Sequence, residues 1–216
     1  STPTRSWHYV APVSHPEPKI QIKGVVFDMD GTLIHEGIDY AAMRAALGIH
    51  YPKDVILEIR AMTDASKQKE CWDIIEHYES TARGSLKAHD GAAELIDFLK
   101  HHQVRVGLFT RNSTHGILAM KQATGLEFDY ELSRDFHPPK PSPDGAMLMA
   151  NAWELKPSEI LFVGDSQDDI GCGKAAGMKT VLFDPTTKKP HLHELSDLVV
   201  TSLSQIIQLL TDGVLL

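Results

Sequence analysis

Short apolar runs that stop abruptly in polar residues punctuate the chain. Ile20, Ile22, Val25, Val26 and Phe27 lead directly into Asp28-Met29-Asp30-Gly31. Val104 to Phe109 stops at Thr110-Arg111-Asn112, and Ile160 to Val163 stops at Gly164-Asp165-Ser166. A fourth run covers Thr180 to Phe183. Runs this short, β-branched and closed by turn chemistry, predict strands covered on both faces. Between them the apolar spacing becomes helical: Ala92, Leu95, Ile96 and Leu99 share one face of a helix over Gly91 to His101. Helices are also expected over Thr114 to Thr124, which Gly125 ends, over Pro143 to Trp153, and over Ser202 to Leu210. Strands alternating with helices predict parallel βαβ units.

One stretch breaks this alternation. From Gly37 to Lys87 there is no strand signal, and Tyr40 to Leu47, Asp54 to Met62 and Ser66 to Ala82 read as three helices. Residues 37–87 are therefore expected to form an all-helical insert in a core made of 20–36 and 88–216. Residues 1–19, interrupted by Pro3, Pro12, Pro16 and Pro18, read as an extended arm in which Trp7 is the main anchor. In open α/β sheets ligands bind where the carboxyl ends of the strands converge. An insert leaving from the end of the first strand is thus expected to lie over the site.

Composition narrows the classes of function. The 216 residues suffice for one core domain with a small insert, without disulfides or a structural metal. Lys plus Arg number 21 against 29 Asp plus Glu, and the formal charge of −8 argues against a nucleic-acid binder or a polybasic membrane anchor. No apolar run approaches the length of a membrane span. Cys71 and Cys172, the two cysteines, lie far apart without metal-site spacing. They suit a reducing compartment, so a cytoplasmic location is expected, although the start at Ser1 leaves a removed leader open.

The polar clusters at the strand ends carry the chemistry. Asp28 and Asp30 crowd two carboxylates at a dry strand end, where a cation between them relieves their repulsion. Asp165, Asp168 and Asp169 follow the third strand, and both groups reach one ion if the two strands are neighbours. Oxygen ligands of this kind suit Mg2+. Thr110 offers a hydroxyl, and the turn after it offers backbone N–H groups at a helix start, a seat for phosphate oxygens. Lys140, between Pro139 and Pro141, is a cation on a stiff segment. Carboxylates, a divalent ion, an anion seat and a lysine point to phosphoryl transfer, in which the protein positions groups and neutralises charge.

Phe27-Asp28-Met29-Asp30-Gly31-Thr32-Leu33 resembles the first motif of the haloacid dehalogenase-like (HAD) hydrolase superfamily. The later order is similar to that family too: Thr110 closing the second strand, Lys140 before a helix, then Gly164-Asp165-Ser166-Gln167-Asp168-Asp169. The resemblance extends from about Ile22 to Phe183. It implies a Rossmann-like parallel sheet flanked by helices, with a small helical cap inserted after the first strand. It implies that Asp28 is the nucleophile and forms an aspartyl phosphate, and that Asp30 is the general acid and base. It implies that Asp28, the backbone carbonyl of Asp30, Asp165 and Asp169 hold Mg2+, with Asp169 as ligand or support. Thr110 and the Arg111 backbone N–H are then expected to bind the phosphoryl group, and Lys140 to balance its charge.

Asp30 favours a phosphatase or a sugar-phosphate mutase over a dehalogenase, because the family's dehalogenases lack an aspartate there. The short insert favours hydrolysis, since a mutase must shield its aspartyl phosphate from water. The expected substrate is a small phosphorylated metabolite and the expected state a monomer or weak dimer. A non-catalytic phospho-ligand binder and a receiver-like domain are the competing classes. Arg44, Arg60, Lys67 and Arg83 are candidates for a second anion contact in the insert.

Other features have structural readings. Asp168 is assigned to the start of a helix, as an N-cap or first-turn acid. Gly171-Cys172-Gly173-Lys174-Ala175-Ala176 fits the permissive form of the dinucleotide fingerprint, but it falls inside a helix instead of directly after a strand. His101-His102 and His191-x-His193 lack the partners of a zinc site. Met120, Met147, Met149 and Trp153 are expected in the core.

Overall fold

A computed structural model of the protein describes residues 21–213. The proline-rich arm expected over 1–19 and the start of the first strand at Ile20 lie outside the described residues. The elements run β1 (Gly24–Phe27), α1 (Tyr40–Leu47), α2 (Val55–Arg60), α3 (Ala65–Arg83), α4 (Ala92–His101), β2 (Arg105–Phe109), α5 (Thr114–Thr124) and β3 (Tyr130–Leu132). They continue with α6 (Asp144–Ala152), β4 (Ile160–Gly164), α7 (Gln167–Ala175), β5 (Lys179–Phe183), the short α8 (Pro190–His193), β6 (Leu198–Val200) and α9 (Ser204–Asp212). The strands form one sheet in the order β3-β2-β1-β4-β5-β6, and every neighbouring pair is parallel. This is the Rossmann-like arrangement.

The period of two along each strand divides its side chains between two layers. Val25 and Phe27 of β1, with Leu161 and Val163 of β4, join the core layer that α4, α5 and α9 cover. Val26, Ile160 and Phe162 face the opposite layer, where Met149 and Ala150 of α6 and Cys172 of α7 pack. Both faces are dry, which is why these strands read as unbroken apolar runs. Met120 is fully buried in the first layer and Met149 in the second, against which Met147 and Trp153 are partly buried.

The three helices between β1 and α4 are each started by an aspartate. Asp39 accepts from the Ala42 N–H, Asp54 from the Leu57 N–H, and Asp64 from those of Ser66 and Lys67. They enclose an apolar cluster of their own, including Met43, Ile56, Ile59, Cys71 and Ile75. The segment leaves and rejoins the sheet through two extended linkers that pair antiparallel, Ile34 opposite Ala88, with the His35 N–H donating to the Lys87 carbonyl at 2.9 Å. Among the described residues no helix is long and apolar enough to cross a membrane.

Candidate active site

β1 lies between β2 and β4, so the loops after these three strands open side by side. The chain leaves β1 through a tight turn in which the Gly31 N–H donates to the Ile34 carbonyl. Gly31 has φ +81°, and a Cβ there would come within 2.5 Å of Asp165 Oδ2, so a residue without a side chain is required. Thr32 is buried beneath the turn and donates its hydroxyl to Asp165 Oδ1 at 3.1 Å and Asp28 Oδ2 at 3.4 Å. One hydroxyl thereby joins the ends of β1 and β4.

One carboxylate oxygen from each of Asp28, Asp165 and Asp169 lies within 4.8 Å of the others, and all three residues are buried. Lys140 is also buried, and its Nζ donates to Asp28 Oδ1 at 2.7 Å, Asp169 Oδ1 at 2.8 Å and the Phe109 carbonyl at 2.7 Å. The sequence assigns Lys140 to a phosphoryl group; the structure places it between two carboxylates. Burial favours the neutral amine, but the Asp169 and Asp28 charges outweigh it and raise the Lys140 pKa. Desolvation, with the charges of Asp169 and Asp165 adding to it, raises Asp28 well above the usual carboxylate range, although Lys140 opposes them. Crowded, buried carboxylates with oxygen-only donors fit a hard divalent cation, which would relieve this repulsion.

Asp169 is the most constrained of the three. Its Oδ2 accepts from the N–H groups of Asp165 and Ser166 and from the Ser166 hydroxyl, while Oδ1 takes Lys140. Ser166, not Asp168, is the N-cap of α7, in a reciprocal capping box with Asp169. Asp168 does sit in the first turn, as the structural reading expects, but it accepts from Arg111 at 3.0 Å.

Asp30 stands beside the triplet rather than within it. Asn112 Nδ2 donates to Asp30 Oδ2 at 3.0 Å. Burial pushes the Asp30 carboxyl up to about 6; the Asn112 hydrogen bond works against this, and the Glu79 charge adds to it. Thr110 is buried at the end of β2, and its Oγ1 accepts from the Asn112 N–H at 3.0 Å. The Arg111 side chain grips both oxygens of Asp54, the cap of α2, at 2.6 and 2.5 Å.

These groups form the floor of a cavity of about 240 Å3 beneath the helical segment. Asp28, Asp30, Thr110, Arg111, Lys140, Asp165 and Asp169 all line it, so the structure brings together every residue expected to act on the phosphoryl group or the ion. Ile38, Met43, Val55, Ile56 and Ile75 form an apolar wall. Of the four basic residues proposed for a second anion, Arg44 lines the cavity, with Nη1 donating to the carbonyls of Ile49 and Lys53. Arg60 instead bonds the Arg134 carbonyl and His137, and Arg83 pairs with Glu76.

Sequence reasoning missed a pair on the cavity wall and a second lysine. Glu79 of α3, buried, grips Arg134 after β3 at 2.5 and 3.3 Å, and Arg134 lies 5.3 Å from the Trp72 ring centroid. A signal existed: Glu79 falls on the helix face of Cys71, Ile75 and Ala82, an acid in an apolar stripe. Lys189, after β5, donates to Asp165; nothing local in the sequence marks it.

The profile of the haloacid dehalogenase-like hydrolases matches residues 22–177. A haloacid dehalogenase-like hydrolase domain-containing protein of Arabidopsis thaliana is 40% identical over 179 residues, which cover 78% of this chain and 73% of the relative. A phosphoglycolate phosphatase of Cereibacter sphaeroides is 31% identical over 196 residues, covering 80% and 89%. Among solved structures, a HAD hydrolase of family IA, variant 3, from Entamoeba histolytica superposes with a TM-score of 0.71 over 88% of this chain and 98% of that one, at 18% identity.

Proposed function

The chain belongs to the haloacid dehalogenase-like hydrolase family, and from that premise we propose that it is a Mg2+-dependent phosphatase acting through an aspartyl phosphate on Asp28. The supporting observation is the gathering of one carboxylate oxygen from each of Asp28, Asp165 and Asp169 within 4.8 Å, beside an Asp30 carboxyl whose pKa burial pushes up to about 6.

In this reading a carboxylate oxygen of Asp28 attacks phosphorus, and the bond to the leaving oxygen breaks. Asp30 gives that oxygen its proton. The same carboxylate then takes a proton from the water that attacks the phosphoenzyme, releasing phosphate and restoring Asp28. Thr110 and the Arg111 backbone N–H hold the transferring group. Lys140 holds Asp28 in place and offsets charge that the incoming phosphate adds. Asp28, Asp165 and the Asp30 carbonyl would hold the ion, and Asp169, whose oxygens already accept from four donors, would support it. Bound Mg2+ supplies positive charge that relieves the repulsion between a carboxylate nucleophile and a phosphate dianion.

Residues 37–87, with helices α1–α3, act as a cap, and the cavity of about 240 Å3 beneath them suits a small phosphorylated metabolite. Phosphate release from a panel of phosphomonoesters, with and without Mg2+, tests the reading. Release that needs Mg2+ is expected, with turnover lost in Asp28→Asn and Asp30→Asn, and no phosphoenzyme in Asp28→Asn. Wild-type release from Asp28→Asn would refute the nucleophile, and phosphate retained in an isomeric product would favour a mutase.

A further inference from the structure

Lys189 has no part in the chemistry described so far, yet it touches the centre. It lies in the loop between β5 and α8, and its Nζ donates to two oxygens of Asp165, the main-chain carbonyl at 2.6 Å and Oδ2 at 2.7 Å. The loop is shaped to aim it. Asp184, buried at the end of β5, accepts from the N–H groups of Lys188 and Lys189 at 3.2 and 3.1 Å, and His193 Nε2 holds the same carboxylate at 2.8 Å. The Lys189 side chain is 35% exposed whereas that of Asp165 is 10% exposed, so solvent reaches the cation more readily than the carboxylate it serves.

The triplet thus has two lysines. Lys140 spans Asp28 and Asp169, and Lys189 covers Asp165. Three buried carboxylates this close oppose folding unless opposite charge is built in beside them. A cation fixed on a ligand oxygen has a second effect, because it repels a divalent ion approaching the same carboxylate.

We propose that Lys189 is a positioning residue and the resident counter-cation of the metal centre. It assembles Asp165 with Asp28 and Asp169 before a divalent ion arrives, and it weakens the binding of that ion. This rests on the reading that a divalent ion is held at this centre with Asp165 among its ligands. Its two effects have opposite signs: losing the charge destabilises the metal-free protein and tightens its hold on metal.

The test uses the full chain stripped by a chelator, as wild type, Lys189→Gln and Lys189→Arg, with Mg2+ binding followed by calorimetry and the melting temperature measured with and without Mg2+. Glutamine keeps a donor for the Asp165 carbonyl but removes the charge. Lys189→Gln is expected to bind Mg2+ about tenfold more tightly, or ~1.4 kcal/mol. It is also expected to melt lower without metal and to gain more from saturating Mg2+, while Lys189→Arg follows wild type. Unchanged or weaker Mg2+ binding in Lys189→Gln overturns the proposal and leaves the metal centre standing. A wild type that binds no Mg2+ overturns both. Should metal-free Lys189→Gln not fold, refolding on added Mg2+ supports the proposal and failure to refold overturns it.

Discussion

Asp30 has to give a proton and then take one, and its surroundings suit that double duty. Burial carries its carboxyl to about 6, against the hydrogen bond from Asn112. Below that pH it holds the proton needed by the leaving oxygen; above it, it is the base. Phosphoenzyme formation in single turnovers is therefore expected to fall as pH rises through about 6, and breakdown to rise. Asn112→Ala removes a contact that favours the ionised form, so both limbs should move to higher pH; unmoved limbs would show that the hydrogen bond does not tune Asp30. Stability follows the same group. Its folded value lies above the unfolded one, so the stability it contributes in acid is lost as pH rises through about 6. Metal-free Asp30→Asn should consequently melt higher than metal-free wild type at pH 8, although with Mg2+ it turns nothing over. The aspartates and Thr110 were legible because each follows a strand in a short polar cluster, and Lys140 because prolines flank it. Lys189 and the Glu79–Arg134 pair were not, since their partners lie 24 and 55 residues away in sequence and depend on the path of intervening loops.

At the scale of elements, two ion pairs among the described residues fasten the helical segment to the loops after β2 and β3, one from the cap of α2 and one on α3. Glu79–Arg134 is buried, with side chains 6% and 13% exposed. Glu79→Gln leaves the guanidinium without its counter-charge, and a loss of roughly 3 kcal/mol is expected. That loss should appear as a lower melting temperature and faster amide exchange along α3; unchanged exchange would mean that the apolar contacts alone hold it. Asp54–Arg111 is more exposed, at 25% and 26%, and Asn serves nearly as well as Asp in capping a helix. Asp54→Asn should accordingly cost less than ~1 kcal/mol, but it leaves Arg111 held by Asp168 alone among carboxylates beside the phosphoryl seat and should raise KM more than it changes kcat. The helices themselves were readable to within a residue or two, because 3.6 periodicity and Asp caps are local signals. The edge strands β3 and β6 were not. Each has three residues with mixed burial, and an edge strand is defined by the neighbour it pairs with, which its own composition does not reveal.

For the whole molecule, the sheet order explains how residues as far apart as Asp28 and Asp169 meet, while the helical segment stands on its own apolar cluster. The two parts are therefore separable in principle, and the linkers indicate where. His35 donates to the Lys87 carbonyl across an antiparallel pair, so the chain ends there are already at hairpin distance. A two-residue Asn-Gly turn is the preferred closure of such a ladder, and it can replace residues 36–86. The shortened chain loses Glu79, leaving Arg134 open to water instead of buried, and it keeps every carboxylate of the triplet. It is expected to melt cooperatively, to keep parallel-sheet circular dichroism and to bind Mg2+. Its kcat/KM for a small phosphomonoester should fall on the order of 100-fold, because the apolar wall that positions the substrate and excludes water is gone. Loss of cooperative melting would show instead that the helices belong to the folding core, and undiminished kcat/KM would show that the cavity beneath them plays no part in catalysis.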